Sequence, residues 1–196
     1  MGISLWLVPS RDVATKLHRI MKTKTSTFKS PSSFPQFEPH VTLATVPSST
    51  PLDVLRAAIP KGQPVVPVDF RSVDVGNKYF MSVYVTVHHS GELNTLRENL
   101  KKSLGEQAVP PLAHVSLFYI DDSEPEERTK VAEQLRRDGR IIEQAGDRVA
   151  LNCAAQPSEG GENDIVDGFD GAEIWIALCD GPVPGWEIKD RIKLPL

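Results

Sequence analysis

The sequence predicts a protein of mixed helices and strands folded as two lobes, and two observations carry that expectation. A strand–helix–strand order occurs twice. Ser4-Leu5-Trp6-Leu7-Val8, a helix, a loop and Pro39-His40-Val41-Thr42-Leu43 are matched later by Ser82-Val83-Tyr84-Val85-Thr86, a helix, a loop and Ala113-His114-Val115-Ser116-Leu117. Each unit also ends in the same tetrapeptide pattern, His-Φ-Ser/Thr-Φ with Φ apolar. Two copies of one unit are expected to sit about an approximate two-fold, with their histidine strands facing across the junction.

Each element follows from local pattern. Ile3–Val8 alternates as a strand, and Ser10 offers an N-cap to a helix with Val13, Leu17, Ile20 and Met21 on one face. Three prolines and three serines make 29–39 a loop that delivers the chain into an extended 39–46. A short helix is expected at 51–58, then strands at 65–75 and 78–87 joined by a Gly76-Asn77 turn. Leu93, Leu96, Leu100 and Leu104 mark a helix over 92–104, and 112–120 is the second histidine strand. A charged helix over 124–137 is expected to be capped by Ser123, before strands at 148–154 and 172–179. The acidic, glycine-rich 156–171 between them reads as a mobile loop.

Composition limits the function classes. With 196 residues, 40% hydrophobic and 24% charged, the chain has globular composition and length for one domain made of two lobes. The net charge of −4 argues against a broad basic surface, so a long nucleic acid is not the expected partner, whereas a small phosphate ester is. The basic runs within 11–29 and at Lys101-Lys102 read as solvated helix faces. No run suits a membrane span and 1–10 is too short for a secretory leader, so the expectation is a cytoplasmic monomer. Cys153 and Cys179 suggest neither a disulfide scaffold nor a zinc site. If their strands form a hairpin, they lie too far apart to bridge, and free thiols are expected.

The tetrapeptides carry the chemistry. Side chains at i and i+2 of a strand share a face, so His40 with Thr42, and His114 with Ser116, each present an imidazole and a hydroxyl together, while Val41, Leu43, Val115 and Leu117 face a core. Among five histidines a bare His-x-Ser/Thr is close to chance, and His88-His89-Ser90 is a third match. With both apolar positions required, the chance expectation falls to roughly 0.1 per chain of this composition, yet the pattern occurs twice. His18 reads as a surface residue, and His88 and His89 as strand-end residues. One neutral imidazole can take a proton from water while a protonated one gives a proton to a departing ribose oxygen. Thr42 and Ser116 can donate to the non-bridging oxygens of a cyclic phosphate. This chemistry calls for no cofactor, and carboxylate or cysteine partners at metal-ligand spacing are lacking.

On these residues the sequence resembles the 2H phosphoesterase superfamily, in its fungal and plant cyclic phosphodiesterase branch. The paired tetrapeptides, with His40 and His114 separated by 74 positions, and the order of elements before each are similar over most of the chain. The resemblance implies a bilobal α+β fold with two antiparallel sheets around a central cleft. It implies hydrolysis of nucleoside 2′,3′-cyclic phosphates to 2′-phosphates and of ADP-ribose 1″,2″-cyclic phosphate to the 1″-phosphate, as in tRNA splicing. By the same resemblance His40 is the base, His114 the acid and Tyr119 a substrate contact. The resemblance to fungal members also leaves Golgi association open as an alternative location. Phe80 and Trp175 stand on extended segments where they can stack on a base or pack into a core. Alternative readings are an RNA-end processing or 2′–5′ ligase-like 2H protein, and a non-catalytic module for cyclic phosphates or RNA ends.

Overall fold

The computed structural model describes residues 2–155 and 163–195. Its elements in chain order are β1 (Ile3–Val8), α1 (Arg11–Met21), β2 (Val41–Val46), α2 (Leu52–Ala58), β3 (Val66–Lys78), β4 (Met81–Val87), α3 (Gly91–Leu104), β5 (His114–Phe118), α4 (Pro125–Arg137), β6 (Ile141–Gln144), β7 (Arg148–Asn152), β8 (Ile165–Val166), β9 (Gly168–Gly171), β10 (Glu173–Leu178) and β11 (Glu187–Lys193). Local chemistry explains the helix starts. The Ser10 hydroxyl accepts the Val13 N–H and Ser90 accepts that of Leu93. Leu17, Ile20 and Met21 of α1, and Leu93, Leu96 and Leu100 of α3, form the buried stripes.

The α+β expectation is borne out: four helices accompany a large antiparallel sheet, in the order β11-β10-β1-β2-β5-β4-β3-β9, and a smaller sheet of β6-β7-β8. The large sheet has two halves joined where β2 meets β5, at the single pair Val41↔Val115. Register on the two sides of that pair is equivalent. Leu7 pairs Val41 and Trp6 pairs Thr42 on one side; Val85 pairs Val115 and Tyr84 pairs Ser116 on the other. The register shifts at equivalent places too, between Leu5 and Trp6 against β2 and between Val83 and Tyr84 against β5, leaving Leu43 and Leu117 as the extra residues. The strands of the two units therefore share one register pattern in the hydrogen-bonded ladder.

Val73, Val85, Val115, Val41, Leu7 and Ile174 form a continuous cross-strand row through both halves. All six are buried. Burying this row fixes strand register, because a one-residue slip would turn every one of these side chains to the other face.

Several expectations are corrected. β7 belongs to the small sheet and β10 to the large one, so the two cysteine strands are not a hairpin, although Cys153 and Cys179 are free and buried. Residues 163–171 carry β8 and β9, whose edges pair with β7 and β3, because backbone pairing prevails over a loop-like composition. The remainder of that segment, 156–162, lies outside the described residues. Ser123 does not cap α4; it bonds to Asp121 instead, and Pro125 begins the helix. β6, of four residues, is too short and β11 too polar to be seen from hydrophobic pattern. No helix among the described residues is long and apolar enough to cross a membrane.

The β3–β4 turn lies at Tyr79-Phe80, later than Gly76-Asn77. Gly76 serves a different purpose: a Cβ there would stand 2.0 Å from the Met81 carbonyl oxygen. Gly76→Ala is expected to push the hairpin strands apart and cost about 1–3 kcal/mol of stability, measurable by urea unfolding, with the turn residue Phe80 displaced.

Candidate active site

The single β2–β5 pair assembles the site. Antiparallel register continued one residue either way from Val41↔Val115 sets His40 beside Ser116 and Thr42 beside His114, on the face opposite the valines. These four side chains line one cleft of about 310 Å³ with Trp6, Phe80, Tyr119 and Trp186.

The two imidazoles are held alike. His40 is 5% exposed and lies flat on Trp6, centroids 3.8 Å apart and planes at 11°. Its Nδ1 is 2.6 Å from the Glu38 carbonyl oxygen. A carbonyl only accepts, so Nδ1 carries the hydrogen and the neutral ring keeps its lone pair on Nε2. His114 repeats this, with Nδ1 donating to the Leu112 carbonyl at 3.1 Å and the Tyr84 ring packed edge-on at 5.2 Å. In each case the acceptor is two residues before the histidine.

Burial disfavours the charged forms. His40 is pushed down to about 4 by desolvation, against the raising effect of the Glu38 bond, with His114 adding a smaller repulsion. His114 is also lowered, first by burial, against its Leu112 bond, and then by the Arg97 charge. His114 is less buried than His40, so the desolvation penalty on its cation is smaller.

The remaining expected residues are placed as follows. Ser116 Oγ donates to the Phe80 carbonyl at 3.1 Å, which ties the β3–β4 turn to β5 and brings Phe80, 39% exposed, to the cleft rim. Tyr119 is buried and stacks on Phe37 at 4.0 Å, and burial raises its phenol, keeping it a hydrogen donor. The 29–39 loop that packs here is anchored by Phe34, whose N–H donates to the Tyr119 carbonyl at 2.8 Å. Phe34 has φ 57°, a left-handed conformation that a bulky residue adopts only when its surroundings enforce it. Trp175 is not brought to the cleft. It pairs with Trp6 one strand further out, stacks under Arg191 at 4.4 Å and donates its indole hydrogen to Glu173.

Two aromatic residues of the cleft were missed from sequence. Trp6 supports His40, and Trp186 packs at 5.8 Å against both Trp6 and Phe80, closing an aromatic wall. The internal repeat contained a signal for Trp6, which stands where Tyr84 stands in the second unit, against the other histidine. Trp186 had none, since it follows a short turn after β10. His18 is only partly exposed, and its Nε2 donates to the Phe37 carbonyl at 3.1 Å. His88 donates to the Asp147 carbonyl and does not line the cleft. Among the described residues no three His, Cys, Asp or Glu side chains are grouped to hold a metal ion.

Comparison with known proteins agrees with this architecture. The family model described as "Cyclic phosphodiesterase-like protein" matches residues 1–194. The chain belongs to that family, within the 2H phosphoesterases. Among solved structures, LigT of Escherichia coli in apo form aligns with a TM-score of 0.55 at 10% identity, covering 100% of this chain and 98% of LigT. The LigT complex with 3′-AMP gives 0.56 at 11% identity, with the same coverage. TT0787 of Thermus thermophilus gives 0.53 at 14%, covering 99% of this chain and 98% of that protein. At these identities the likeness is one of fold. No curated protein matches by sequence.

The depressed His40 has a consequence for stability. Its ring binds a proton near 6.5 when unfolded but only near 4 when folded. Its contribution is therefore complete above pH 6.5 and is lost as pH falls through about 4, amounting to about 3 kcal/mol. His40→Phe, which keeps an aromatic ring against Trp6, is expected to lose correspondingly less stability between pH 7 and pH 4 in urea titrations.

Proposed function

We propose that this protein hydrolyses 2′,3′-cyclic nucleotides to nucleoside 2′-phosphates by two-histidine acid–base catalysis without a metal. The observation that carries the reading is the pairing of two imidazoles in one cleft, each with Nδ1 held by a carbonyl, so that Nε2 is left for proton transfer. His40, the more strongly depressed ring, is neutral at ordinary pH and acts as the base that takes a proton from attacking water. His114 acts as the acid that protonates the departing ribose 3′ oxygen. Thr42 donates to the non-bridging oxygens, where charge is held as the phosphorus is attacked, and Ser116 does so once its one hydroxyl hydrogen swings from the Phe80 carbonyl to the bound phosphate. Tyr119 offers a further donor, and Phe80, with the aromatic wall beside it, gives the base a surface to stack on.

The proposal includes ADP-ribose 1″,2″-cyclic phosphate as a second substrate and places the chain in the fungal and plant branch, as one domain of two lobes acting as a cytoplasmic monomer. The family match supports the phosphoesterase class. The LigT complex is with 3′-AMP, and a mononucleotide is the size of ligand that a cleft of about 310 Å³ suits.

With 2′,3′-cyclic AMP as substrate, turnover is expected to persist in EDTA and to yield 2′-AMP, resolved from 3′-AMP by chromatography. His40→Ala and His114→Ala are each expected to lose roughly 10²–10⁴-fold in kcat. Full activity in both variants would overturn the assignment. The pH profile of kcat/KM should rise through about 4 as His40 loses its proton and fall below 6.5 as His114 loses its own, placing the optimum on the acid side of neutrality.

A further inference from the structure

Arg97 and His18 occupy corresponding places behind the two histidines. Arg97 is the charged member of the buried stripe of α3, between Leu96 and Leu100, and is only 4% exposed. Its Nη2 donates to the Pro110 carbonyl and, at 3.3 Å, to the Pro111 carbonyl. The next residue is Leu112, whose carbonyl takes the Nδ1 hydrogen of His114. In the first unit His18 of α1 donates to the Phe37 carbonyl, and the next residue is Glu38, whose carbonyl takes the Nδ1 hydrogen of His40. Each connecting helix thus sends one side chain to the carbonyl three residues before a histidine, and the following peptide holds the ring.

The chemistry of the approach to β5 explains why a guanidinium stands there. Pro110 and Pro111 have no N–H, so this segment cannot be laced to its neighbours by its own donors, and its carbonyls need a donor from elsewhere. A charged donor makes a stronger bond to a carbonyl than a neutral one, and here a single guanidinium nitrogen, Nη2, serves two adjacent carbonyls. Packing alone does not account for the residue, because an apolar side chain would complete the stripe of α3. As it stands, Arg97 Nη1 is buried without a partner among the described residues.

Resting on the cyclic phosphodiesterase reading, we infer that Arg97 is a positioning residue for His114: it clamps the 110–112 peptide so that the imidazole is held in the cleft, as His18 does more weakly for His40. The titratable or charged groups set against His114 are Arg97 from α3, His40 from the facing strand and Tyr84 from β4. Of these, Arg97 carries the permanent positive charge, so its removal both loosens the peptide and relieves a repulsion on protonated His114.

The test compares Arg97→Met, Arg97→Lys and His18→Gln for kcat and KM on 2′,3′-cyclic AMP, and follows the imidazole proton resonances of His40 and His114 against pH. Arg97→Met is expected to lower kcat roughly 10–100-fold, as losses of supporting contacts commonly do, with KM little changed, and to raise the His114 midpoint while leaving that of His40 in place. Arg97→Lys, which keeps the charge but not the reach and planar geometry by which the guanidinium meets both carbonyls, should hold the His114 midpoint and give an intermediate kcat. His18→Gln should leave the His114 midpoint unmoved. An Arg97→Met protein with wild-type kcat and an unmoved His114 midpoint overturns the inference. Should that variant not fold, wild-type kcat in Arg97→Lys overturns it. The resonances need no turnover, so an inactive wild-type protein would refute the proposed function while still reporting whether Arg97 governs His114.

Discussion

The site depends on the single backbone pairing of Val41 with Val115. Without it the sheet would be two separate halves, each carrying one histidine that could do nothing alone. With it, the antiparallel register sets each imidazole beside the other unit's hydroxyl and turns both toward the same cleft. The apolar row behind this pair is what makes so short a contact reliable, because sliding β2 against β5 by one residue would expose buried valines and bury polar groups together.

Burial then sets the electrostatics. The same packing that presses His40 against Trp6 strips its water and disfavours its cation, while less buried His114 bears a smaller penalty. Two chemically identical groups in nearly equivalent positions thereby acquire different proton affinities, which is the condition for one to serve as base and the other as acid. The difference arises from what surrounds each unit, since Trp6, itself backed by Trp186, lies flat on the first histidine with Phe37 edge-on to it, and a Tyr84 edge meets the second.

Much of this was legible in the residue pattern. The paired tetrapeptides placed His40, Thr42, His114 and Ser116 on strands with their valines inward, and the duplicated order anticipated two related halves. These features are local, governed by strand alternation and helix capping. Trp175 shows the limit: a tryptophan on a strand was recognisable, but whether it reached the cleft depended on which strand lay beside it, and β1, with Trp6, stands between it and the histidines. Trp186 was invisible for the converse reason, because only the return of β11 beside β10 carries the turn before it toward Trp6 and Phe80. The hairpin expected for the cysteine strands failed likewise, since pairing partners distant in sequence are selected by the whole sheet.

The sequence by itself determined the candidate histidines and hydroxyls, the faces on which they project and the repeated order that carries them, because alternation along a strand and periodicity along a helix are properties of adjacent residues. Tertiary structure decided which histidine is the more desolvated, which aromatics wall the cleft and which side chains hold the two supporting carbonyls. Those outcomes depend on long-range register and on the exclusion of water, and neither exists until both halves of the sheet have come together.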